Sequence, residues 1–258
     1  MRIAVLLKEV PDTYGERKLD LQTGLADRGA TDAVLDEIGE RALEVALSHA
    51  DGHPGTEVTL LSMGPETVVS TLRKGLAMGA TNAVHVVDDA LLGADLSLTA
   101  EVLAAALRRG QFDLVIAGNL STDGSGGVLP AMLAELLGVP HLTSLSSVTI
   151  SDSAVSGVRL TESGVVSVQA ELPAVISVTE ALAAARFANF KGIMAAKKKP
   201  LETLSLPELG VDAADESAGR SILIAVAERP ARQAGVKIVD EGDAASQLVE
   251  FLVTNRLA

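Results

Sequence analysis

The chain has 258 residues, of which 48% are hydrophobic but only 2% aromatic, so its core must be built from Ala, Val, Leu and Ile, as suits helices laid on a sheet. A formal net charge of −13 disfavours nonspecific contact with nucleic acid or an anionic membrane. There is no cysteine, which excludes disulfides, thiol redox chemistry and protein-ligated iron–sulfur clusters, and every apolar run is too short to span a bilayer.

Residues 2–7, RIAVLL, predict a first strand. No signal-peptide pattern precedes it, so the expected location is the cytoplasm, without membrane insertion. A loop with Pro11-Asp12 and Thr23-Gly24 follows. Residues 37–50 carry Ile38, Ala42, Val45 and Ala46 at helical spacing. A second strand is predicted at 57–63, ended by Gly64-Pro65, then a helix at 66–78 with Gly79 as C-cap. A third strand at 83–87 precedes a helix at 96–109 with Asp95 as N-cap. A fourth strand at 112–117 leads through a Gly-rich loop into a helix at about 128–137. This βα alternation, with strands apolar almost throughout, predicts a Rossmann-like open parallel sheet with helices on both faces.

The pattern then changes. Segments 146–150, 156–161 and 165–170 are β-like and joined by short turns, an antiparallel hairpin insertion that returns to the main sheet through a strand at 174–178. Residues 183–220 have weak periodicity. A late strand is predicted at 221–226, then the loop ERPARQAG and a closing helix at about 243–254 with Leu248, Val249, Leu252 and Val253 as its stripe. The expected organisation is an α/β nucleotide-binding domain over 1–184 and, over 185–258, a recognition loop and an extended C-terminal arm too thin to fold alone, which packs on a partner.

In an open parallel sheet, ligands bind beyond the carboxyl ends of the strands. Three such ends carry polar or glycine residues: Leu6-Leu7-Lys8, Ser62-Met63-Gly64 and the loop from Gly118 to Gly127. The last is the strongest candidate. Its glycines allow close backbone approach, and the helix that follows offers unpaired N–H groups to a phosphate. The loop matches neither GxGxxG nor GxxxxGK[ST], and a Gly/Ser-rich βα loop also serves simply to turn the chain. No catalytic triad or paired-carboxylate motif is found. The four histidines lack metal-site spacing; His49 and His53, four apart in HADGHPG, read as a solvated loop.

Several segments together resemble the beta (small) subunit of electron transfer flavoproteins: RIAVLLKEVPD at 2–12, LSMGPE at 61–66, RKGLAMGATNAVHV at 73–86, DLVIAGNLSTDGSGGVLPAMLAELLGVP at 113–140, LPAVISV at 172–178 and ARFANFKGIMAAKKKPLE at 185–202, with ERPARQAGVKI at 228–238. The resemblance implies a heterodimer with an alpha subunit that holds most of the redox FAD. It implies AMP as a structural nucleotide here, acyl-CoA and related dehydrogenases as electron donors, and a quinone oxidoreductase as acceptor. It makes the chain an electron carrier and not an enzyme. A stand-alone adenine-nucleotide protein similar to universal stress proteins is the alternative; it leaves residues 185–258 unexplained.

By the same resemblance, the AMP pocket uses Leu6, Asp36, Glu37, Ile38, Gly39, Met63, Gly118, Asn119, Leu120, Ser121, Thr122, Asp123, Gly124, Ser125, Gly126, Gly127, Val128 and Leu129. Relatives often have Asn-Pro in place of Asp36-Glu37, and Gln or Asn in place of Gly126-Gly127. The branch with a second FAD typically carries a Gln in this loop, which is absent here, so AMP is the expected ligand. Asp12 and Thr13 match a region that approaches the alpha-subunit flavin, with Tyr14 one position beyond the usual aromatic. The family's recognition loop maps onto Phe187–Met194, with Phe190 as apolar anchor and Lys191, Gly192, Ile193 and Met194 completing the partner contact. Lys197, Lys198 and Lys199 form either a solvated face or a contact with an acidic partner surface.

Overall fold

The computed structural model describes residues 1–232 and 234–257; Gln233, within the ERPARQAG stretch, and Ala258 lie outside the described residues. The chain divides into two compact units, Met1–Ile224 and Ala225–Ala258. In chain order the first unit contains β1 (Arg2–Leu6), β2 (Glu9–Pro11), β3 (Ala33–Leu35), α1 (Glu37–Gly52), β4 (Glu57–Met63), α2 (Val68–Met78), β5 (Asn82–Val86), α3 (Leu96–Gly110), β6 (Leu114–Gly118) and α4 (Leu129–Leu137). There follow β7 (His141–Ile150), β8 (Ala154–Thr161), β9 (Gly164–Glu171), β10 (Ala174–Val178), α5 (Phe190–Ala196), β11 (Leu201–Leu204) and α6 (Leu206–Leu209). The second unit contains α7 (Ala244–Thr254).

One nine-stranded sheet runs in the order β11-β5-β4-β1-β6-β10-β7-β8-β9. Neighbours from β11 through β7 are parallel, and β8 and β9 add antiparallel strands at one edge. Alternation along β1 shows why both faces need cover. Ile3 and Val5 join α1, α2 and α5 in one core, whereas Ala4 and Leu6 join α3, α4 and α6 in the other. Leu43, Leu72 and Leu76 on the first face and Leu98, Leu107 and Leu133 on the second are nearly inaccessible. Each such side chain contributes about 1.5–3 kcal/mol relative to an exposed position. Asp95 caps α3 through its carboxylate on the Leu98 amide at 2.8 Å, and Gly79 closes α2 at φ +145°.

The α/β alternation, the hairpin insertion and the return strand β10 stand as expected. The late strand at 221–226 does not form. The Asp95 carboxylate takes the Ser221 amide at 2.6 Å, and Arg220 pairs with Glu101. Both contacts tie the chain to the N-terminal part of α3, and Ile222 and Ile224 are left exposed. The weakly periodic stretch after 183 supplies α5, β11 and α6; β11 extends the parallel sheet beyond β5. The part of the expected arm up to Ile224 falls within the first unit. The HADGHPG segment is not a loop throughout: α1 runs to Gly52, and His49 stacks on His53 with ring centroids 4.0 Å apart. Among the described residues no cluster of metal-ligating side chains occurs, and no helix is long and apolar enough to cross a membrane.

Candidate functional site

The strand order reverses between β1 and β6, with β4 and β5 on one side and β10 and β7 on the other. A crevice opens at the carboxyl edge of an open sheet at such a switch point. Leu6 ends β1 on one side of it and Gly118 ends β6 on the other. Gly118 is required by close approach: a Cβ there would stand 2.9 Å from Cγ2 of Ile38 in the first turn of α1. Gly39 packs beside Leu6 and Leu7, where a Cβ would meet only ordinary van der Waals spacing.

The loop from Asn119 to Val128 is held from two directions. Asp36, almost fully buried, caps α1 through Oδ1 on the Ile38 amide at 3.0 Å. Its Oδ2 accepts from the Thr122 amide at 2.7 Å and the Thr122 hydroxyl at 3.0 Å. Both carboxylate oxygens of Asp36 are therefore engaged by the protein, and the residue shapes the loop. Asp123 is the second anchor. Its Oδ1 accepts from Lys8 Nζ and the Gly124 amide, each at 2.7 Å, and its Oδ2 from Arg28 at 3.0 Å. Burial alone would raise the Asp123 carboxyl; the hydrogen bond and charge of Lys8, with help from Ser121 and Arg28, prevail and hold it at about 2. Lys8 also reaches Ser121 Oγ at 3.2 Å.

Beyond these anchors the loop presents backbone. Ser125 (φ +50°) and Gly127 (φ +68°) turn it into α4. Val128 caps that helix without a side-chain hydrogen bond, and its first turn holds no acidic residue. Among the described residues, the N–H groups of Gly126, Gly127, Val128 and Leu129 donate to no protein oxygen. Partnerless donors at a helix N-terminus are suited to an anion. Two further polar atoms at the strand ends, Ser62 Oγ and Asn119 Oδ1, are buried without a partner. A nucleotide monophosphate fits this set: free amides for the phosphate, glycines that leave space, and, in the loop itself, the buried Asn119 oxygen for a polar part of a nucleoside.

Most of the expected pocket residues thus meet at one edge. Glu37 is the exception; it lines a groove between α1 and α2 on the neighbouring surface. Met63 ends β4, on the far side of β1 from the loop. Lys8 and Arg28 were not among the expected site residues. Lys8 carried a signal, since it directly follows a strand end. Arg28 carried none, because 95 residues and an irregular excursion separate it from Asp123.

The second expected site is a helix and not a loop. Asn189 caps α5 through its side chain on the Gly192 amide at 2.8 Å. Phe190 is 79% exposed, and Ile193 and Met194 are about half exposed. The helix is firmly mounted. A Cβ on Gly192 would come within 2.2 Å of the Ala77 carbonyl oxygen, so only glycine permits this packing on α2. Arg73 of α2 donates to the carbonyls of Ala196 and Lys199 at 2.7 and 2.8 Å. Lys199 in return donates to the carbonyls of Leu76 and Ala80 at the end of α2; Lys197 and Lys198 stay exposed. Upstream, Arg186 pairs with Glu44 and Asp51 of α1, which raises the Arg186 guanidinium above its ordinary value. Tyr14 is fully exposed. In the second unit no described residue is buried, so the apolar stripe of α7 has no core of its own.

A doubly wound α/β protein with an anion-ready loop at its switch point belongs to the class that holds nucleotides at strand ends. Comparison with known proteins narrows the class. The electron transfer flavoprotein domain family matches residues 23–209. The electron transfer flavoprotein subunit beta of Mycobacterium leprae is 47% identical over 265 residues, covering 99% of this chain and 98% of the relative. That of Mycobacterium tuberculosis is 48% identical with the same coverage. The caffeyl-CoA reductase-Etf complex subunit CarD of Acetobacterium woodii is 34% identical, covering 82% of this chain and 80% of the relative. The chain belongs to the electron transfer flavoprotein beta-subunit family: a carrier of electrons and not a catalytic enzyme. The stress-protein alternative is not favoured.

Proposed function

We propose that this chain is the beta half of a heterodimeric electron transfer flavoprotein of the cytoplasm. It accepts electrons from acyl-CoA and related dehydrogenases and delivers them to a quinone oxidoreductase. FAD, held mainly by the alpha subunit, supplies the electron-carrying chemistry when bound. AMP sits at the switch point of this chain and has a structural role. The observation that carries the proposal is the run of four free amides from Gly126 to Leu129 at an uncapped helix start.

The chain's own residues act by positioning. Asp36 and Asp123 fix the loop, and its amides neutralise the phosphate. A filled loop braces the strand ends of β1 and β6. The segment at Asp12, Thr13 and Tyr14, with Thr13 and Tyr14 exposed, then meets the alpha subunit beside its flavin. The stripe of α7 is an apolar surface for the same subunit, which fits the absence of a core in its unit. Phe190, carried with Lys191, Gly192, Ile193 and Met194 on a braced helix, is the anchor for a dehydrogenase.

Co-expression with an alpha subunit tests this. The complex should be yellow, this chain alone colourless, and acid extracts of either should contain AMP by mass spectrometry. Stoichiometric FAD retained by the isolated chain would assign the pocket to a second flavin. An empty pocket with normal assembly would remove AMP from the account.

A further inference from the structure

Beside the exposed anchor lies a groove that no step above uses. Helices α1 and α2 and the chain from 184 to 197 enclose about 860 Å³. Its apolar lining includes Ala77, Met78, Ala188 and Ile193. Five basic side chains border it against two acidic ones, in a chain of net charge −13. Three of the five are the arginines that tie the walls together: Arg41 to the Leu182 carbonyl, Arg73 to the end of α5, and Arg186 to α1. The other two, Lys74 and Lys197, are exposed and have no hydrogen-bond or ion-pair partner among the described residues. One of the two acids, Glu40, is half-buried, and that burial raises its carboxyl against the pull of Lys74. Glu44 and Asp51 neutralise Arg186, so the charge the groove has left to offer a partner is carried by the exposed Lys74 and Lys197.

Helix α5 joins this groove to the anchor. Ile193, Ala196 and Lys197 line the groove, while Phe190 and Met194, four apart, lie exposed on the same helix. Phe187, three residues before Phe190, lines the groove and is almost fully exposed, so exposed apolar surface runs from the anchor into the groove lining. We infer that the groove is the receiving half of a two-way contact: the dehydrogenase takes Phe190 into itself and inserts an acidic, apolar-tipped segment of its own between α1, α2 and α5. The inference rests on the role given above to Phe190. Apolar contact with the lining supplies affinity, and Lys74 and Lys197 steer the carboxylates of the entering segment.

The test uses the alpha–beta complex as electron acceptor for an acyl-CoA dehydrogenase. Ser70→Trp, at an exposed position on the groove wall, narrows the space and leaves Phe190 unaltered. Lys74→Glu with Lys197→Glu reverses the steering charge. Each should raise the apparent Michaelis constant for the complex about tenfold. The charge variant should also lose the rise in Michaelis constant that added salt produces in the unmodified complex. The flavin spectrum and the yield of alpha subunit should not change. If Ser70→Trp fails to fold, the exposed lysine pair decides alone. Phe190→Ala effective but both groove variants silent would overturn the groove while leaving the anchor intact. Silence of all three would remove both. Loss of the alpha subunit from the groove variants would assign the surface to the subunit interface and overturn the proposal.

Discussion

Asp123→Asn removes a charge at nearly constant volume from the centre of the loop's fastening. The Asp123 side chain is 8% exposed and binds Lys8 at 2.7 Å and Arg28 at 3.0 Å. Burial raises its pKa, but the hydrogen bond and charge of Lys8, with Ser121 and Arg28, hold it at about 2 against 3.8 for an open carboxyl. By linkage that difference is worth about 2 kcal/mol of stability at neutral pH. The amide cannot replace it: its oxygen is a neutral acceptor, and its NH2 group faces two cations. The variant complex should therefore melt about 4–8 °C lower at pH 7, as about 2 kcal/mol implies for a unit of this size. The sign with pH follows from a depressed pKa in the folded state. The contribution is complete above the unfolded value of 3.8 and is lost as pH falls toward 2. The melting gap should hold from pH 7 to pH 5 and shrink by roughly half at pH 3. Differential scanning fluorimetry at these three pH values measures it. A gap below about 1 °C at pH 7, or one as large at pH 3 as at pH 7, would show that the Lys8–Asp123–Arg28 cluster does not fasten the loop.

Gly127→Val places a β-branched residue at φ +68°, a strain of about 1–2 kcal/mol; AMP in acid extracts should fall, and unchanged AMP would mean that the loop does not hold it. Gly192→Ala drives a methyl to 2.2 Å from the Ala77 carbonyl, so α5 must lift, at a cost of about 1–3 kcal/mol; the complex should be less stable and a poorer acceptor for dehydrogenase, and wild-type values for both would refute the tight seat. Phe190→Ala should weaken dehydrogenase binding by about 2 kcal/mol, roughly thirtyfold, with little change in melting because the ring is 79% exposed; steady-state kinetics and fluorimetry separate these effects. Arg73→Met removes both hydrogen bonds to the end of α5, and hydrogen exchange across 190–199 should accelerate while that of β1 and β6 stays slow.

The alternation of apolar strands and amphipathic helices determined the doubly wound fold, because burial on both faces leaves a period that neighbouring residues display. Local chemistry likewise made the Gly118–Gly127 loop legible: glycines after a strand and before a helix mean the same wherever the chain goes. Segment 221–226 shows the limit. Its Ile222, Leu223 and Ile224 favour a strand, but a strand needs a partner edge, and the Asp95 carboxylate with Glu101 ties that part of the chain to the N-terminal part of α3. Helix α5 shows the converse. It is seven residues long, too short for a periodic signal, and what fixes it is α2, through Arg73, Lys199 and the glycine gap at Ala77. The meeting of Lys8, Arg28 and Asp123 was likewise decided only by the tertiary fold. Charges separated by tens of residues carry no mutual signal along the chain; they come within 3.0 Å because β1 and β6 are neighbours in the sheet and the excursion between β1 and α1 crosses their ends.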